Sequence, residues 1–333
     1  MNHDMLEGMG KGAELSRSSG EAKYFQIPVN LYQPDELIHR DLYLFYQGTY
    51  LLFRPKNLRW NQKDNKQLEE FGVKSLYIKC DGKEEANQFL ECNLSRILQE
   101  GKIDSGQKAQ IIYETSTAIL EDIFSRPNSP ERVKRSVEFV KNSVEYLKDK
   151  ENFLELMKMA SKDFCEYTHA LQTSAYAISL GRAIGIKSFN ELTALGVGSI
   201  LHDVGKVKID SRILDKGEAL NDDERLEVQK HPQLGFELLR RQRSIPEEAE
   251  LIILQHHERP NGKGYPYGIS DDLHICSKIV ALVDCYDSMT SNRRYRKKLS
   301  PVNALRLIHT ELREEYEPRL VTEFIKVLGV KPS

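Results

Sequence analysis

The sequence predicts an all-α C-terminal half that carries the chemistry, joined to a smaller α/β N-terminal domain. Three observations predict this. The stretch from Phe25 to Lys79 holds short β-leaning runs, and nearly every segment from Ser161 onward has helical spacing. Five of the nine histidines then fall between His169 and His257, inside the helical part. A chain of 333 residues with 40% hydrophobic content can fill two domains of the usual size, roughly 100 to 200 residues each.

Taken in order, residues 1–20 are rich in Gly, Ser and charge without apolar periodicity, and are expected to be a disordered tail. Residues 21–125 are expected to form the small α/β domain. Its strands are FQIPVNLY, DLYLFYQGTYLLF with a hairpin turn near Gly48, and SLYIKC. Helical periodicity runs from Lys83 to Phe124 and ends at RPNSP, whose two prolines break it.

Residues 126–160 read as a helical linker. There Val133, Val137, Val140, Val144, Leu147 and Leu154 lie on a 4-3-4-3 spacing followed by one heptad, a narrow seam of the kind coiled coils use. Such a seam would pair two copies of the chain through the 131–154 helix. With only about three heptads, the stripe fits one amphipathic helix lying on its own domain better. Residues 161–333 are expected to be the all-α catalytic domain. They include a long helix from Ser161 to Gly185, one opening with a Ser244/Glu247 capping box, and one from about Leu273 to Met289.

Composition excludes several classes of protein. With 48 basic against 50 acidic residues, nothing calls for a long polyanion, and nucleic acid is not the expected ligand. A small anion held by a local cluster remains compatible. No apolar run approaches the roughly 18 residues of a membrane span, and the first residues lack a signal-peptide pattern, so a cytoplasmic protein without membrane association is expected. The five cysteines include no CxxC pair, which points to reduced, mostly buried thiols.

The chemistry rests on a pattern, since any one helical histidine is more often packed or solvated than a ligand. His202 and Asp203 close the apolar helix ELTALGVGSIL, beside a turn made flexible by Gly205. A carboxylate has two oxygens and can join two cations, whereas a neutral imidazole offers one nitrogen. Asp203 is therefore the natural bridge and His202 a terminal ligand. His256 and His257 would diverge by about 100° in mid-helix. Pro260 and Gly262 end the helix within a turn, so both rings can face one centre. His231 precedes Pro232 at a helix interruption, and His169 lies on its own helix. Asp284 and Asp287, three apart on SKIVALVDCYDSMT, share a face on which one can ligate while the other orients.

Five imidazoles and two carboxylates exceed the needs of one tetrahedral zinc and suit two six-coordinate ions completed by a bridging water or hydroxide. Two cations about 3.5–4 Å apart would activate that water for in-line attack on a phosphodiester.

These residues also spell a known pattern. HDVGK at His202 to Lys206, HP at His231, HHERPNGKGYP from His256 to Pro266 and VDCYDSMTSNRRYR from Val283 to Arg296 resemble the HD-GYP family of cyclic di-GMP phosphodiesterases, over about Phe164 to Phe324. The resemblance implies an HD-type helical bundle holding two, sometimes three, metals, often iron or manganese, and cleavage of cyclic di-GMP to pGpG or GMP. Position by position, it implies His169, His202, Asp203 and Asp284 around one ion, and Asp203, His231, His256 and His257 around the other. Asp203 and Lys206 would act in catalysis, and Lys206, Gly264, Tyr265, Asp287, Arg293 and Arg296 would meet the substrate.

Set beside that reading, RRYRKK can be a solvated basic face, and GKGYP can be simply a tight loop. Members with three metals commonly carry a glutamate where this chain has Cys165, with Glu166 displaced by one position, so two ions are expected. The GYP loop would also offer a surface for signalling partners. No chemistry is assigned to the N-terminal region, for which a regulatory or dimerising role is the expectation. Cyclic GMP-AMP or a phosphomonoester is the alternative substrate, because metals and basic side chains do not read the base. A module that binds cyclic di-GMP without turning it over is the alternative of another class.

Overall fold

A computed structural model describes residues 23–73, 75–101, 103–161, 165–292 and 297–329. The expected tail at 1–20 lies outside the described residues. The chain divides into two compact units, Met1–Ala86 and Asn87–Ser333.

In the first unit, β1 (Lys23–Pro28), β2 (Leu42–Tyr46), β3 (Thr49–Arg54) and β4 (Ser75–Cys80) form an antiparallel sheet in the order β1-β4-β2-β3. The hairpin joining β2 to β3 turns at Gln47 and Gly48, both with positive φ (48° and 81°), the backbone that a two-residue turn matching the strand twist requires. Alternation decides which face is covered: Leu76, Ile78 and Cys80 of β4 are buried with Leu42 of β2. The opposite face carries aromatic rings packed on one another, with Tyr24 and Tyr50 stacked at 3.8 Å. Helix α1 (Gln62–Glu70) lies between β3 and β4 in sequence; it starts at a capping box between Asn61 and Asp64 and buries Leu68.

The second unit is helical. Helix α2 (Lys83–Gln99) runs across the division, and α3 (Ser105–Ser125) packs on α4 (Pro130–Tyr146), α5 (Lys150–Ala160) and α6 (Glu166–Ala183). The division thus falls at Ala86/Asn87, ahead of the boundary expected at Arg126–Pro130, and α3 belongs with the helical unit. The cause is its apolar stripe, where Ala109, Ile112, Ile119, Leu120 and Ile123 need helical partners to leave water.

The expected 131–154 helix is two helices. It stops at Tyr146 and restarts at Lys150 with Asp149 capping the Glu151 amide. Val133, Val140, Val144 and Leu147 are buried within this chain, α4 packing on α3 and α7 (Phe189–Leu201), while Leu154 is 49% exposed. Most of the stripe is therefore covered by the chain's own core, as the favoured reading of a stripe lying on its own domain has it, and the break interrupts the heptad register that a coiled coil needs.

Helix α7 buries every residue from Leu192 to Leu201 and sits centrally against α4, α6 and α11 (Glu247–Gln255). The remaining helices are α8 (Ser211–Leu214), α9 (Asp222–Val228), α10 (His231–Arg240), α12 (Ile275–Thr290), α13 (Pro301–Thr310) and α14 (Pro318–Val327), with a 3-10 turn at Val204–Lys208. Two local expectations are corrected. The helix bearing His169 begins at Glu166, with Cys165 as its N-cap and Ser161 capping α5 instead. The capping box at Ser244 and Glu247 does not form, because Pro246 occupies the N-cap and Ser244 is buried without a hydrogen-bond partner. Among the described residues, no helix is long and apolar enough to cross a membrane.

Candidate metal centre

Four helix ends and two helix faces meet at one buried point. His169 projects from the first turns of α6, His202 is the C-cap of α7, and Asp203 opens the 3-10 turn. His231 is the first residue of α10, His256 is the C-cap of α11 with His257 beyond it, and Asp284 faces in from α12. His202, His231 and His256 are at most 1% exposed and His169 is 4% exposed, values that a polar ring reaches only when its nitrogens have partners.

The fold fixes which nitrogen faces inward. The Nδ1 atoms of His202, His231 and His256 each lie 2.7–2.9 Å from a carbonyl oxygen three residues back, those of Ser199, Val228 and Ile253. His169 Nδ1 is 2.6 Å from Asp287 Oδ2. A carbonyl only accepts, so in the three carbonyl pairs Nδ1 carries the proton and Nε2 turns a lone pair into the centre. Nε2 of His231 and Nε2 of His256 stand 3.2 Å apart, and buried Nε2 of His202 has no hydrogen-bond partner. Ring nitrogens gathered in this way in a buried space suit a shared proton or a cation between them.

The donors fall into two groups joined by a carboxylate. Donor atoms within 4.8 Å of one another come from His169, His202 and Asp284, from His231, His256 and His257, and from His202, Asp203 and His256. Asp203 spans them: Oδ1 is 3.2 Å from His231 Nε2, while Oδ2 is 3.3 Å from His202 Nε2 and 3.9 Å from His169 Nε2. Asp284 Oδ1 is 3.2 Å from His169 Nε2 and 3.8 Å from His202 Nε2. Imidazole with carboxylate is the donor set that iron, manganese and zinc accept, so the residues present fit divalent ions.

The electrostatics agree. Burial alone would raise the Asp203 pKa, but His202 and Lys206 hold it well below the usual carboxylate range, and His169 and His202 do the same for Asp284. Burial, reinforced by neighbouring imidazoles, holds His256 and His257 far below the usual histidine range, so both are neutral donors. His169 differs. Burial opposes its charge, yet hydrogen bonds to Asp284 and Asp287 outweigh that and push its pKa up to about 10. A proton on His169 then occupies the position that a metal would take.

One glycine permits the geometry. A Cβ on Gly205 would stand 2.0 Å from the His231 carbonyl oxygen and 2.5 Å from Gly235 N, so the 3-10 turn crosses α10 backbone against backbone. Gly205 serves close approach, where flexibility was expected, and it sets His231 within reach of Asp203. Gly235, on the other side of the crossing, carried no signal in the sequence.

Other site residues take various places. Lys206 Nζ is 2.6 Å from Asp203 Oδ2, beside the bridging carboxylate. Asp287, expected at the substrate, is 1% exposed with Oδ2 turned onto His169, the orienting place that its pairing with Asp284 also allowed. Tyr265 lies half-buried with its ring stacked on His257, centroids 4.5 Å apart and planes 25° apart. Gly264 has a packing reason, since a Cβ there would meet the backbone of His257, Glu258 and Arg259 at 2.5 Å. Arg293 and Arg296 lie outside the described residues. Sequence reasoning missed Glu258, a carboxylate 1% exposed that accepts from the amides of Tyr267 and Ile269. The one signal for it was its place directly after the histidine pair.

Fold and donors together define a helical protein with a buried histidine and aspartate cluster of metal-ligating type. The family model described as HD domain matches residues 150–320, and the chain belongs to that family. The chain is 31% identical over 180 residues to a cyclic di-GMP phosphodiesterase of Pseudomonas aeruginosa, covering 54% of this chain and 43% of that protein. It is 30% identical over 174 residues to a 3'3'-cGAMP-specific phosphodiesterase of Vibrio cholerae, covering 50% of this chain and 33% of that protein. It thus spans less than half the length of either relative. Among solved structures, an HDG"Y"P protein from Bdellovibrio bacteriovorus superposes with a TM-score of 0.65 at 18% identity, covering 92% of this chain and all of that one, which is a likeness of fold.

Proposed function

We propose that the helical unit is a metal-dependent phosphodiesterase that hydrolyses cyclic di-GMP at a centre of two divalent ions, iron or manganese. The observation that carries the reading is the gathering of five imidazoles and two carboxylates, all buried except the half-buried His257, with the His231 and His256 Nε2 atoms 3.2 Å apart. His169, His202, Asp203 and Asp284 would hold one ion, and Asp203, His231, His256 and His257 the other. The substrate class is supported by the relatives, named as phosphodiesterases of cyclic di-GMP and of 3'3'-cGAMP, substrates that match what such a centre handles.

The chemistry that two divalent ions supply when bound is charge stabilisation at the phosphorus and a lowered pKa for a shared water. The chain's own groups do the rest. Asp203 keeps the two donor groups at a fixed separation through its two oxygens. The carbonyls of Ser199, Val228 and Ile253 hold three imidazoles in the tautomer that ligates, and Asp287 orients the fourth. The Lys206 ammonium, beside Asp203, offsets the charge of an arriving phosphate. Tyr265 and Gly264 frame the approach to His257, with Arg293 and Arg296 as further phosphate contacts.

The test is incubation of purified chain, supplied with Mn2+ or Fe2+, with cyclic di-GMP and chromatographic detection of pGpG and GMP. Product is expected; intact dinucleotide after hours at full metal occupancy would remove the proposal. The 3'3'-cGAMP specificity of the Vibrio relative favours one second reading, in which 3'3'-cGAMP is the preferred substrate. Direct competition of the two dinucleotides separates them.

A further inference from the structure

The loop after the histidine pair is shaped by hydrogen bonds to a single buried carboxylate. From Arg259 to Ile269 the chain doubles back on itself through Gly262 and Gly268, both with positive φ. The Tyr265 amide donates to the His257 carbonyl at 3.2 Å, and the Gly262 amide to the Arg259 carbonyl at 2.9 Å. Neither bond reaches the far limb of the loop. That limb is held by Glu258, whose Oε1 accepts from the Tyr267 amide at 2.7 Å and whose Oε2 accepts from the Ile269 amide at 3.1 Å. Each carboxylate oxygen thus has its own donor. The Tyr267 side chain is 58% exposed, whereas Glu258 is 1% exposed, so this limb is anchored inward through its backbone.

Glu258 directly follows His257, and between the two anchored amides and the histidine lies Tyr265, stacked on the His257 ring and 6.4 Å from that of His231. The His257 ring is stacked by the tyrosine and has the His256 and His231 rings 4.2 Å and 5.1 Å away. Its orientation depends on where the loop puts Tyr265. That position in turn depends on the close crossing at Gly264 and on the carboxylate beneath the loop. An imidazole held in one orientation presents its nitrogen without first losing rotational freedom, which strengthens ligation.

We propose that Glu258 is a positioning residue of the metal centre: it templates the 259–269 loop so that Tyr265 clamps the His257 ring toward the His231, His256 and His257 group. The proposal rests on the reading of that group as one ion's site. It assigns Glu258 no contact with metal or substrate. A carboxylate is needed because two separate acceptor oxygens must face two backbone N–H groups. Glutamine supplies one acceptor and turns an NH2 against the other N–H, and alanine supplies neither.

The test uses the full chain, freed of metal, as wild type, Glu258→Gln and Glu258→Ala. Two readouts are taken without substrate: hydrogen exchange at the Tyr267 and Ile269 amides, and Mn2+ titration to give affinity and stoichiometry. In Glu258→Ala, exchange at both amides accelerates at least about tenfold, and one of two Mn2+ ions binds about 10- to 100-fold more weakly, the range for loss of a group that orients a ligand. The other ion keeps wild-type affinity, and Glu258→Gln falls between. If Glu258→Ala does not fold, Glu258→Gln carries the test, with at least one amide exposed and the same ion weakened. Faster loop exchange with both ions at wild-type affinity overturns the proposal, as does unchanged exchange. A wild-type chain that binds no Mn2+ overturns the metal reading and this proposal together; wild-type binding with unaltered variants overturns this proposal alone.

Discussion

The two donor groups of the centre are built in different ways. His169, His202 and Asp284 stand on α6, α7 and α12, three helices whose facing sides are buried almost throughout, and His169 is oriented by a side chain 118 residues away, that of Asp287. His231, His256 and His257 stand at the start of one helix and the end of another; carbonyls three residues back orient the first two, as one does for His202, and the glycine crossing at Gly205 and the loop under Tyr265 complete the group. The first group inherits rigidity from helix packing. The second depends on a few local contacts, so single substitutions there should act on one ion and leave the other. Asp203, shared by both, is where the difference disappears.

That comparison orders the expected effects. Asp203→Ala removes the common donor and leaves Lys206 without its 2.6 Å partner. Hydrolysis should fall by at least about 100-fold, and titration should find neither ion at wild-type affinity, since losing an orienting group alone costs about 10- to 100-fold. Retention of one full-affinity ion would show the groups to be independent.

Gly205→Ala places a methyl 2.0 Å from a backbone carbonyl, where no side-chain rotation relieves it. Chemical denaturation should show about 2–3 kcal/mol of lost stability, the upper part of the overpacking range. Mn2+ binding at the His231 group should weaken first, and equal weakening of both ions would break the comparison. Asp287→Asn keeps shape but removes the charge that orients His169. The first ion should weaken about tenfold while the second is untouched, read from the same titration.

The smallest effect is expected far from the centre. Leu154→Ser changes a side chain that is 49% exposed, so sedimentation should show an unchanged mass and denaturation a shift within about 0.5 kcal/mol. Loss of a dimer would restore the heptad seam as an interface.

Much of the fold was legible because local patterns dictate it. The β2 to β3 hairpin follows from Gln47-Gly48 between apolar runs, and α3 ends at Ser125 where RPNSP predicts a break. The stripe at 133–154 left its partner open because a 4-3-4-3 spacing records only that one face is apolar, whether another chain or α3 and α7 cover it. Ser244 and Glu247 had capping spacing, but Pro246 took the N-cap, a competition that residue spacing does not weigh. Asp287 was assigned to the substrate although its three-residue offset from Asp284 equally allowed the orienting role it takes. Gly235 and Glu258 were silent because their work is done across backbone crossings, which leave no periodicity.

By itself the sequence offered the candidate donors, most of the helix ends that carry them and the helical character of their unit, because residue chemistry, proline and glycine breaks and apolar spacing act within a few residues. Asp203 was already the candidate bridge and Asp287 a candidate orienting group; only the tertiary structure decided which nitrogen of His202, His231 and His256 faces inward, that Asp287 pairs with His169 and that Gly205 lies at a backbone crossing. Those facts depend on contacts between segments distant along the chain, as between His169 and Asp287, and one-dimensional spacing holds no record of such distances.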